Sequence, residues 1–441
     1  MSPRRALFVT GKLAEPALRR VLAEMSPPFQ YDIAVLKITV AALMTTSWIA
    51  KSLEAPPGVD LVMIPGLCEG DTGVIAEKLG VDVEKGPKDL RDIPRHFGRA
   101  AEAREYGAWD IEIVAEINNA PRLTREAIRR EAARYRASGA DIIDIGCTPG
   151  LPFPALAAVV TELVEAGMRV SVDSLDPSEI TTAVEAGAEL VLSVNGSNID
   201  VAQALAVSGA LADRGARFVV IPDMGGGVDS LERYAEARRR WPTAEMLMGI
   251  GNLTELTAAD STGVNALLIA VCQELGIRSV LTTEVIPWAR GVVREVDVAR
   301  RLMHYAVTRH TVPKGVDDRL VTVKDPVVLS YSEQDLRALQ AAITDPNYRI
   351  FADAEAITVF NSERFVRGTD IQAIFAQLEV EDPSHAFYLG KELAKASLAV
   401  TLGKTYRQEG ALTWGYLTPP DEDVREHVQL TQRPRRPRAS D

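Results

Sequence analysis

The sequence contains little cysteine, and its cysteines follow no pattern. Cys68, Cys147 and Cys272 are scattered through 441 residues, and no CxxC pair occurs. This usage argues against a disulfide scaffold and a zinc ribbon and indicates a reducing compartment. The sequence also lacks any run of about 18 apolar residues, and its first residues turn polar after a short apolar stretch. We therefore predict no membrane span, no signal peptide and a cytoplasmic location.

Positive charge is not in excess either. The chain has 49 Lys and Arg against 61 Asp and Glu, which gives a net charge of −12. Nucleic acids and anionic membranes are bound through an excess of Lys and Arg, so neither is predicted as a partner. An anionic small molecule held in a locally basic pocket remains compatible with this balance.

Short apolar runs alternate with helical patterns along most of the chain, which is typical of parallel α/β domains. In the middle of the chain the strands are dense in Ile, Val and Leu, as in a parallel barrel whose strands are buried on both faces. We count seven such strands, one short of a TIM-type (β/α)8 barrel: 111–118, 141–147, 170–173, 190–195, 218–223, 246–251 and 279–284. The predicted domains are an N-terminal α/β domain (1–107), the barrel (108–315), a C-terminal α/β domain (316–430) and a disordered basic tail (431–441). Within the C-terminal domain, 357–360 and 414–416 are predicted as strands.

Polar side chains gather where the predicted barrel strands end, which is where functional groups of such barrels lie. These strand ends carry Asn118, Asn119, Asp144, Asp173, Asn195, Asp223, Asn252 and Glu284. None of the five histidines and no lysine lies among them, which argues against a zinc hydrolase and a Schiff-base aldolase. No GxGxxG follows a strand, and no GxSxG occurs. A ring of carboxylates and amides suits a flat heterocycle with adjacent N–H donors.

The motifs at these strand ends resemble those of dihydropteroate synthases. The chain reads INNAP at 117–121, GADIIDIG at 139–146, SVDS at 171–174 and DMGGG at 223–227. GADIIDIG followed by SVDS in this order is specific to the wider family of pterin-binding barrels. The resemblance covers roughly residues 111–310 and implies a pterin-binding (β/α)8 barrel.

The resemblance also implies roles for single residues. Asp144, Asp173 and Asp223 would be catalytic, and Asn118 would also help to bind Mg²⁺ with the diphosphate. The residues implied in substrate binding are Asn118, Asn119, Thr148, Asn195, Asn252, Glu284 and Arg290. Three cationic positions of the synthases are replaced, because the chain has CTPG at 147–150, GNL at 251–253 and TTEV at 282–285. The pterin half of the site is therefore expected to be kept and the half for the second substrate rebuilt.

With its two flanking domains, the chain resembles the dihydropteroate synthase-like proteins of tetrahydromethanopterin biosynthesis. This implies that 6-hydroxymethyl-dihydropterin diphosphate condenses with 4-(β-D-ribofuranosyl)aminobenzene 5′-phosphate and releases diphosphate. Arg122, Arg290, Lys391 and Lys404 are candidates to bind phosphate, although solvated helix positions are the simpler interpretation of the lysines. The alternatives are a methyl-tetrahydropterin:corrinoid methyltransferase, suggested by Asn252, and a non-catalytic pterin-binding protein. A homodimer is expected, as related barrels are commonly dimers.

Overall fold

The computed structural model describes residues 5–98, 106–194, 200, 227–326, 332–353 and 355–418. By its internal contacts the chain separates into two compact units, Met1–Tyr106 and Gly107–Asp441. Among the described residues, no helix combines the length and the apolar character that crossing a bilayer requires.

The first unit is a small parallel α/β domain. Its strands lie in the order β2-β1-β3-β4, and all pairs are parallel. Its elements are β1 (Arg5–Gly11), α1 (Glu15–Met25), β2 (Gln30–Leu36), α2 (Thr46–Ser52), β3 (Leu61–Ile64), α3 (Gly73–Leu79), β4 (Asp82–Lys85) and α4 (Ile93–His96). Leu7 and Val9 pack into one core and Ala6 and Phe8 into another, so β1 is buried on both faces.

The second unit begins with a curled parallel sheet of six described strands, in agreement with the barrel class predicted from the sequence. Its elements are β5 (Glu112–Ile117), α5 (Arg125–Ser138), β6 (Ile142–Gly146), α6 (Leu156–Glu165), β7 (Arg169–Asp173), α7 (Pro177–Ala186), β8 (Leu190–Leu192), α8 (Gly227–Arg240), β9 (Leu247–Gly249), α9 (Gly251–Leu256), α10 (Ser261–Leu275), β10 (Ser279–Thr283) and α11 (Val292–Thr308). The order β8-β7-β6-β5-β10-β9 pairs the first strand of this segment with its last, as closure into a barrel requires. The two edge strands, β8 and β9, flank residues 195–226 in the chain. The strand predicted at 218–223 lies there, outside the described residues.

The ends of the barrel helices follow the local sequence. Thr124 caps α5 by accepting a hydrogen bond from the Ala127 amide at 3.2 Å, and Asp176 caps α7 from the Ser178 amide at 2.8 Å. Gly139 ends α5 with φ of 109°, and a Cβ there would lie 2.6 Å from Cγ of Asp297. Glycine is therefore required at 139 for its backbone conformation and for space.

Alternation along the strands sorts the barrel interior into two layers. The lower layer is apolar and includes Val114, Ile142, Leu192 and Leu247. Two residues further along β5 and β6, the same interior face carries carboxyl groups instead. The apolar layer thus closes the bottom of the barrel and leaves the polar layer at the carboxyl ends of the strands.

The C-terminal part of the second unit is built on an antiparallel sheet with the order β13-β12-β11-β14. Its elements are α12 (Glu333–Ala341), β11 (Arg349–Ala352), β12 (Ile357–Phe360), β13 (Phe365–Gly368), α13 (Ile371–Phe375), α14 (Pro383–Leu402) and β14 (Tyr406–Arg407). Ile350 and Val359 of the sheet pack with Leu389 and Leu393 of α14.

Two expectations for the C-terminal part are wrong. Residues 414–416 do not form a strand, because Gly415 has φ of 56° and begins the 3-10 turn Gly415–Leu417. Lys404 is fully buried and does not lie on a solvated helix face. Its Nζ donates to the carbonyls of Thr322 and Thr413 and lies 3.3 Å from Asp325. Its charge is used within the fold, so Lys404 is not available to a phosphate.

The buried carboxylate of Glu295 links the C-terminal segment to the barrel through a hydrogen bond. Tyr416 donates a hydrogen bond of 2.8 Å to Glu295 in α11. Glu295, 3% exposed, also accepts hydrogen bonds from Ser261, Thr262 and Asn265. Satisfying a buried carboxylate in this way is what makes its burial tolerable, so Tyr416 is part of the packing of the barrel.

Candidate functional site

Three carboxyl groups meet inside the barrel at the carboxyl ends of β5, β6 and β7. One oxygen each of Glu116, Asp144 and Asp173 lies within 4.8 Å of the other two. The strand register explains this, because Glu116 pairs with Asp144, and Gly146 at the end of β6 pairs with Asp173. We call Glu116, Asp144 and Asp173 the carboxyl cluster.

Asp144 lies at the base of the cluster and is fully buried. Ser171 donates a hydrogen bond of 2.6 Å to its Oδ1, while Oδ2 has no hydrogen-bond partner among the described residues. Burial raises the pKa of Asp144 well above its ordinary value, and the charges of Asp173 and Glu116 raise it further. The protonated form is thus favoured, and Oδ2 is the atom that could donate a hydrogen bond to a ligand.

Glu116 belongs to the cluster although the sequence analysis did not select it. Asn118 donates a hydrogen bond of 2.9 Å to its Oε1. A Cβ at position 146 would collide with that same oxygen, so Gly146 makes room for the glutamate. The pKa of Glu116 is raised to about 7. Burial is the largest cause, and the charges of Asp173 and Glu255 raise the pKa further. A signal was present in the sequence, because Glu116 lies two residues before Asn118 and hence on the same strand face.

The raised pKa of Glu116 predicts a pH-dependent gain of stability in Glu116→Gln. Below pH 4.5 the carboxyl is protonated in both the folded and the unfolded chain and costs nothing. Between pH 4.5 and 7 the unfolded chain releases the proton first, so the free energy of unfolding falls as pH rises. The neutral amide of the variant does not titrate, so its free energy of unfolding should exceed that of the wild type by about 3 kcal/mol at pH 8. Urea unfolding at pH 4 and pH 8 measures the difference, and an equal gain at both pH values would contradict the assignment.

A fourth acid, Glu255 in α9, raises the pKa of Glu116 through its charge. Its Oε1 is buried without a hydrogen-bond partner among the described residues, and burial raises its pKa. The predicted Asn252 lies exposed on the same short helix.

Asn118 accepts a hydrogen bond from Thr283 with its Oδ1, so both ends of its amide are fixed.

A cavity of about 660 Å³ lies between the loops that follow β6 and β7, and no residue of the carboxyl cluster is part of its lining. Thr148 lines it and donates a hydrogen bond of 3.2 Å to Asn119, which has φ of 52°. The lining residues include the acids Asp176 and Glu179 but no lysine, arginine or histidine. On the described side of the site, polar neutral groups therefore fit this cavity better than an anion.

The other predicted site residues divide into three groups. Glu284 is not brought into the cluster, because its side chain is 1% exposed and its oxygens bind Arg134 of α5 at 2.7 Å and the Val293 amide of α11 at 3.1 Å. Arg290 lies exposed after the 3-10 turn Pro287–Ala289. Asn195 and Asp223 lie outside the described residues.

The donor set of the cluster suits a hard divalent cation. Mg²⁺ prefers carboxylate, amide and water oxygens, and it needs only one or two protein ligands. The oxygens of Glu116 and Asp173, which lie close together in the cluster, are donors of this kind. The amide oxygen of Asn118, the predicted ligand, accepts from Thr283, so a carboxylate is the better-placed donor.

Comparison with known proteins finds matches to both flanks and to the whole chain. Residues 4–88 match a family of unknown function, DUF6513, and residues 350–409 match a family described as PterinBD-DUF4346. The uncharacterized protein MJ0107 of Methanocaldococcus jannaschii is 25% identical over 92% of this chain and 98% of its own length.

The similar solved structures include dihydropteroate synthases. That of Yersinia pestis with a pterine-sulfa conjugate is 16% identical, covers 46% of this chain and 95% of its own, and has a TM-score of 0.34. That of Xanthomonas albilineans with 7,8-dihydropteroate is 18% identical, with coverages of 45% and 92% and a TM-score of 0.33. That of Thermus thermophilus with 4-aminobenzoate is 20% identical, with coverages of 44% and 92% and a TM-score of 0.32.

Proposed function

We propose that this chain is a pterin-binding transferase of the dihydropteroate synthase type. The observation that carries the proposal is the carboxyl cluster of Glu116, Asp144 and Asp173 at the carboxyl ends of three adjacent barrel strands. Carboxyl groups above an apolar floor suit a flat ring that presents several N–H groups along one edge.

Asp144 and Asp173 would form hydrogen bonds to different atoms of a pterin. Asp173 ends β7 and, when ionised, accepts two parallel N–H bonds from an amidine-like edge. Asp144 favours its protonated form and so can donate from Oδ2 to a ring nitrogen or carbonyl oxygen. A carboxylate and a carboxylic acid side by side would match a ring edge that mixes donors and acceptors.

The proposed reaction joins 6-hydroxymethyl-dihydropterin diphosphate to an arylamine. The C–O bond to diphosphate breaks and the diphosphate takes the electron pair, while the amine nitrogen forms the new C–N bond and releases a proton. Bound Mg²⁺ would neutralise charge on the leaving diphosphate. Asp173 would stabilise the positive charge that develops on the pterin. Glu116, with a pKa of about 7, would accept the proton of the amine.

The second substrate in this proposal is 4-(β-D-ribofuranosyl)aminobenzene 5′-phosphate, as in tetrahydromethanopterin biosynthesis. The 660 Å³ cavity offers Ser174, Asp176 and Glu179 as partners for sugar hydroxyls. Its lack of cations means that the phosphate would extend beyond it. The exposed Arg122 and Arg290, which follow β5 and β10, are candidates to meet the phosphate.

Diphosphate release from the purified full-length protein tests the proposal. With Mg²⁺ and both substrates, we expect turnover that is lost when the arylamine is omitted and kept in the exposed-acid control Asp229→Asn. Replacing the ribosyl compound with 4-aminobenzoate should lower the rate. Absence of diphosphate release above background would contradict the synthase function. Mg²⁺-independent binding of an N5-methyl pterin would then favour the methyltransferase, and binding of both substrates without turnover would favour the non-catalytic alternative.

A further inference from the structure

A second cavity, of about 760 Å³, lies in the C-terminal part of the second unit. It is bounded by α12, by the edge of the sheet at β11 and β14, and by the beginning of α14. Its volume falls within the range of about 300–1,000 Å³ that is usual for small-molecule sites. The proposed transferase reaction makes no use of it.

One wall of this cavity is aromatic and is held in place by the sheet. Phe351 stacks on Phe360 with ring centroids 5.6 Å apart and an interplanar angle of 2°. Tyr348 and His385 contribute a second pair of rings, with centroids 6.5 Å apart. Rigid aromatic walls of this kind suit a planar ligand ring, because ordering the ligand then costs no rearrangement of the protein.

Positive charge lies directly beside the aromatic wall. Arg407 pairs with Phe351 in the antiparallel register, so the two side chains are neighbours on one face of the sheet. Arg407 is exposed, and no carboxylate of the described residues forms an ion pair with it. Arg349 lies two residues before Phe351, and Asp345 orients its guanidinium at 2.8 Å. Arg407 is thus the cation whose charge is left for a ligand.

A fixed chain of polar groups completes the cavity. Gln408 accepts a hydrogen bond from the Ile350 amide at 2.9 Å and donates one of 2.9 Å to the hydroxyl of Tyr388. Tyr388 in turn donates to Glu409 at 3.0 Å. Glu409 is the single acid among the lining residues, and its Oε1 accepts the hydroxyl of Tyr388. The charge of Arg407, unpaired among the described residues, therefore favours an anion as the ligand.

We infer that this cavity is a binding site for an anionic aromatic compound, whose ring lies against Phe351 and whose phosphate or carboxylate meets Arg407. The site is separate from the carboxyl cluster, and the inference does not depend on the proposed transferase reaction. Phosphate and carboxylate share the bidentate geometry that a guanidinium recognises, so the ligand class covers both.

Calorimetric titration of the full-length protein tests the site with phenyl phosphate, benzoate and inorganic phosphate as probes. We expect at least one of the two aromatic probes to bind, and inorganic phosphate to bind at least tenfold more weakly. Tighter binding of phenyl phosphate would identify a phosphorylated ligand, and tighter binding of benzoate a carboxylated one. Failure of both aromatic probes to bind, or equal affinity for inorganic phosphate, would overturn the inference.

Variants locate the binding. Arg407→Ala should weaken it about tenfold or more, since it removes a charge-assisted bond without disturbing any ion pair among the described residues. The matched control is Arg364→Ala, which removes an arginine of the same sheet region that pairs with Glu379 and does not line the cavity. Asp173→Asn should leave probe binding unchanged. Unchanged binding in Arg407→Ala, or its loss in Asp173→Asn, would overturn the inference, because the probe would then lie elsewhere.

Discussion

Asp173→Asn is expected to weaken pterin binding by about a hundredfold or more and to reduce turnover at least as strongly. The carboxylate would accept two N–H bonds, whereas an amide presents one acceptor and one donor, so one bond is lost and one donor faces another. Hydrogen bonds to a charged group contribute about 1.5–3 kcal/mol each, and about 1.4 kcal/mol corresponds to a factor of ten. Titration of the variant with the pterin diphosphate measures the affinity, and diphosphate release measures the turnover.

The same variant carries a second readout that a merely unfolded protein would not give. The charge of Asp173 is one of the causes that raise the pKa of Glu116. Removing it should lower that pKa, so the acidic limb of any residual activity should move to lower pH. The control Asp229→Asn removes an exposed acid and should change neither affinity nor pH profile. Full affinity in Asp173→Asn would contradict the site, as would a fixed pH profile in an otherwise active variant.

The parallel strands of the barrel could be predicted well, because their signal is local. The predicted strand 279–284 corresponds to β10 (Ser279–Thr283), and Thr124, a residue type favoured at helix N-caps, caps α5. Apolar β-branched runs and capping residues carry this information within a few positions of the chain. The strand predicted at 218–223 lies outside the described residues and stays a prediction.

The members of the site were harder to predict than its position. Selection by strand ends found Asp144 and Asp173 but passed over Glu116, which lies one residue inside the end of β5. It also selected Glu284, which in the fold binds Arg134 from 150 residues earlier in the chain. Whether a strand-end carboxylate faces a ligand or a helix arginine depends on a distant partner, and the local pattern does not contain that information.

Lys404 shows the same limit for charge. Its place after the long α14 suggested a solvated cation, yet it is buried beside Asp325 and over the ring of Trp414 at 4.6 Å. Conversely, no sequence pattern singled out Arg407, and its importance follows from the strand register that sets it beside Phe351. Long-range packing therefore decides that the charge of Lys404 is paired within the fold, whereas the charge of Arg407 is left for a ligand.

Arg300→Ala is expected to lower the free energy of unfolding of the barrel by about 3–5 kcal/mol, the largest effect on stability that we predict. Arg300 in α11 is 1% exposed, and its guanidinium binds Asp297 at 2.8 Å as well as Asp141. It also donates to the carbonyl of Ile111 at 2.7 Å and to that of Gly139 at 3.0 Å. Removing it leaves the two carbonyls without this donor in a largely buried place, and it leaves Asp297 with Arg301 and Asp141 with the Ile113 amide as their remaining partners among the described residues. Urea unfolding followed by circular dichroism measures the loss.

The position of Arg300 separates this effect from any effect on the site. Its partners Ile111, Gly139 and Asp141 precede β5 and β6, at the end of the barrel opposite the carboxyl cluster, where contacts in such barrels serve stability and not chemistry. The folded fraction of Arg300→Ala should therefore keep the pterin affinity of the wild type. Arg240→Ala provides the matched control, because that exposed arginine pairs with Glu236 on α8 and its removal should leave the free energy of unfolding close to that of the wild type. A loss in Arg300→Ala no larger than in this control would mean that water replaces the guanidinium at the base of the barrel.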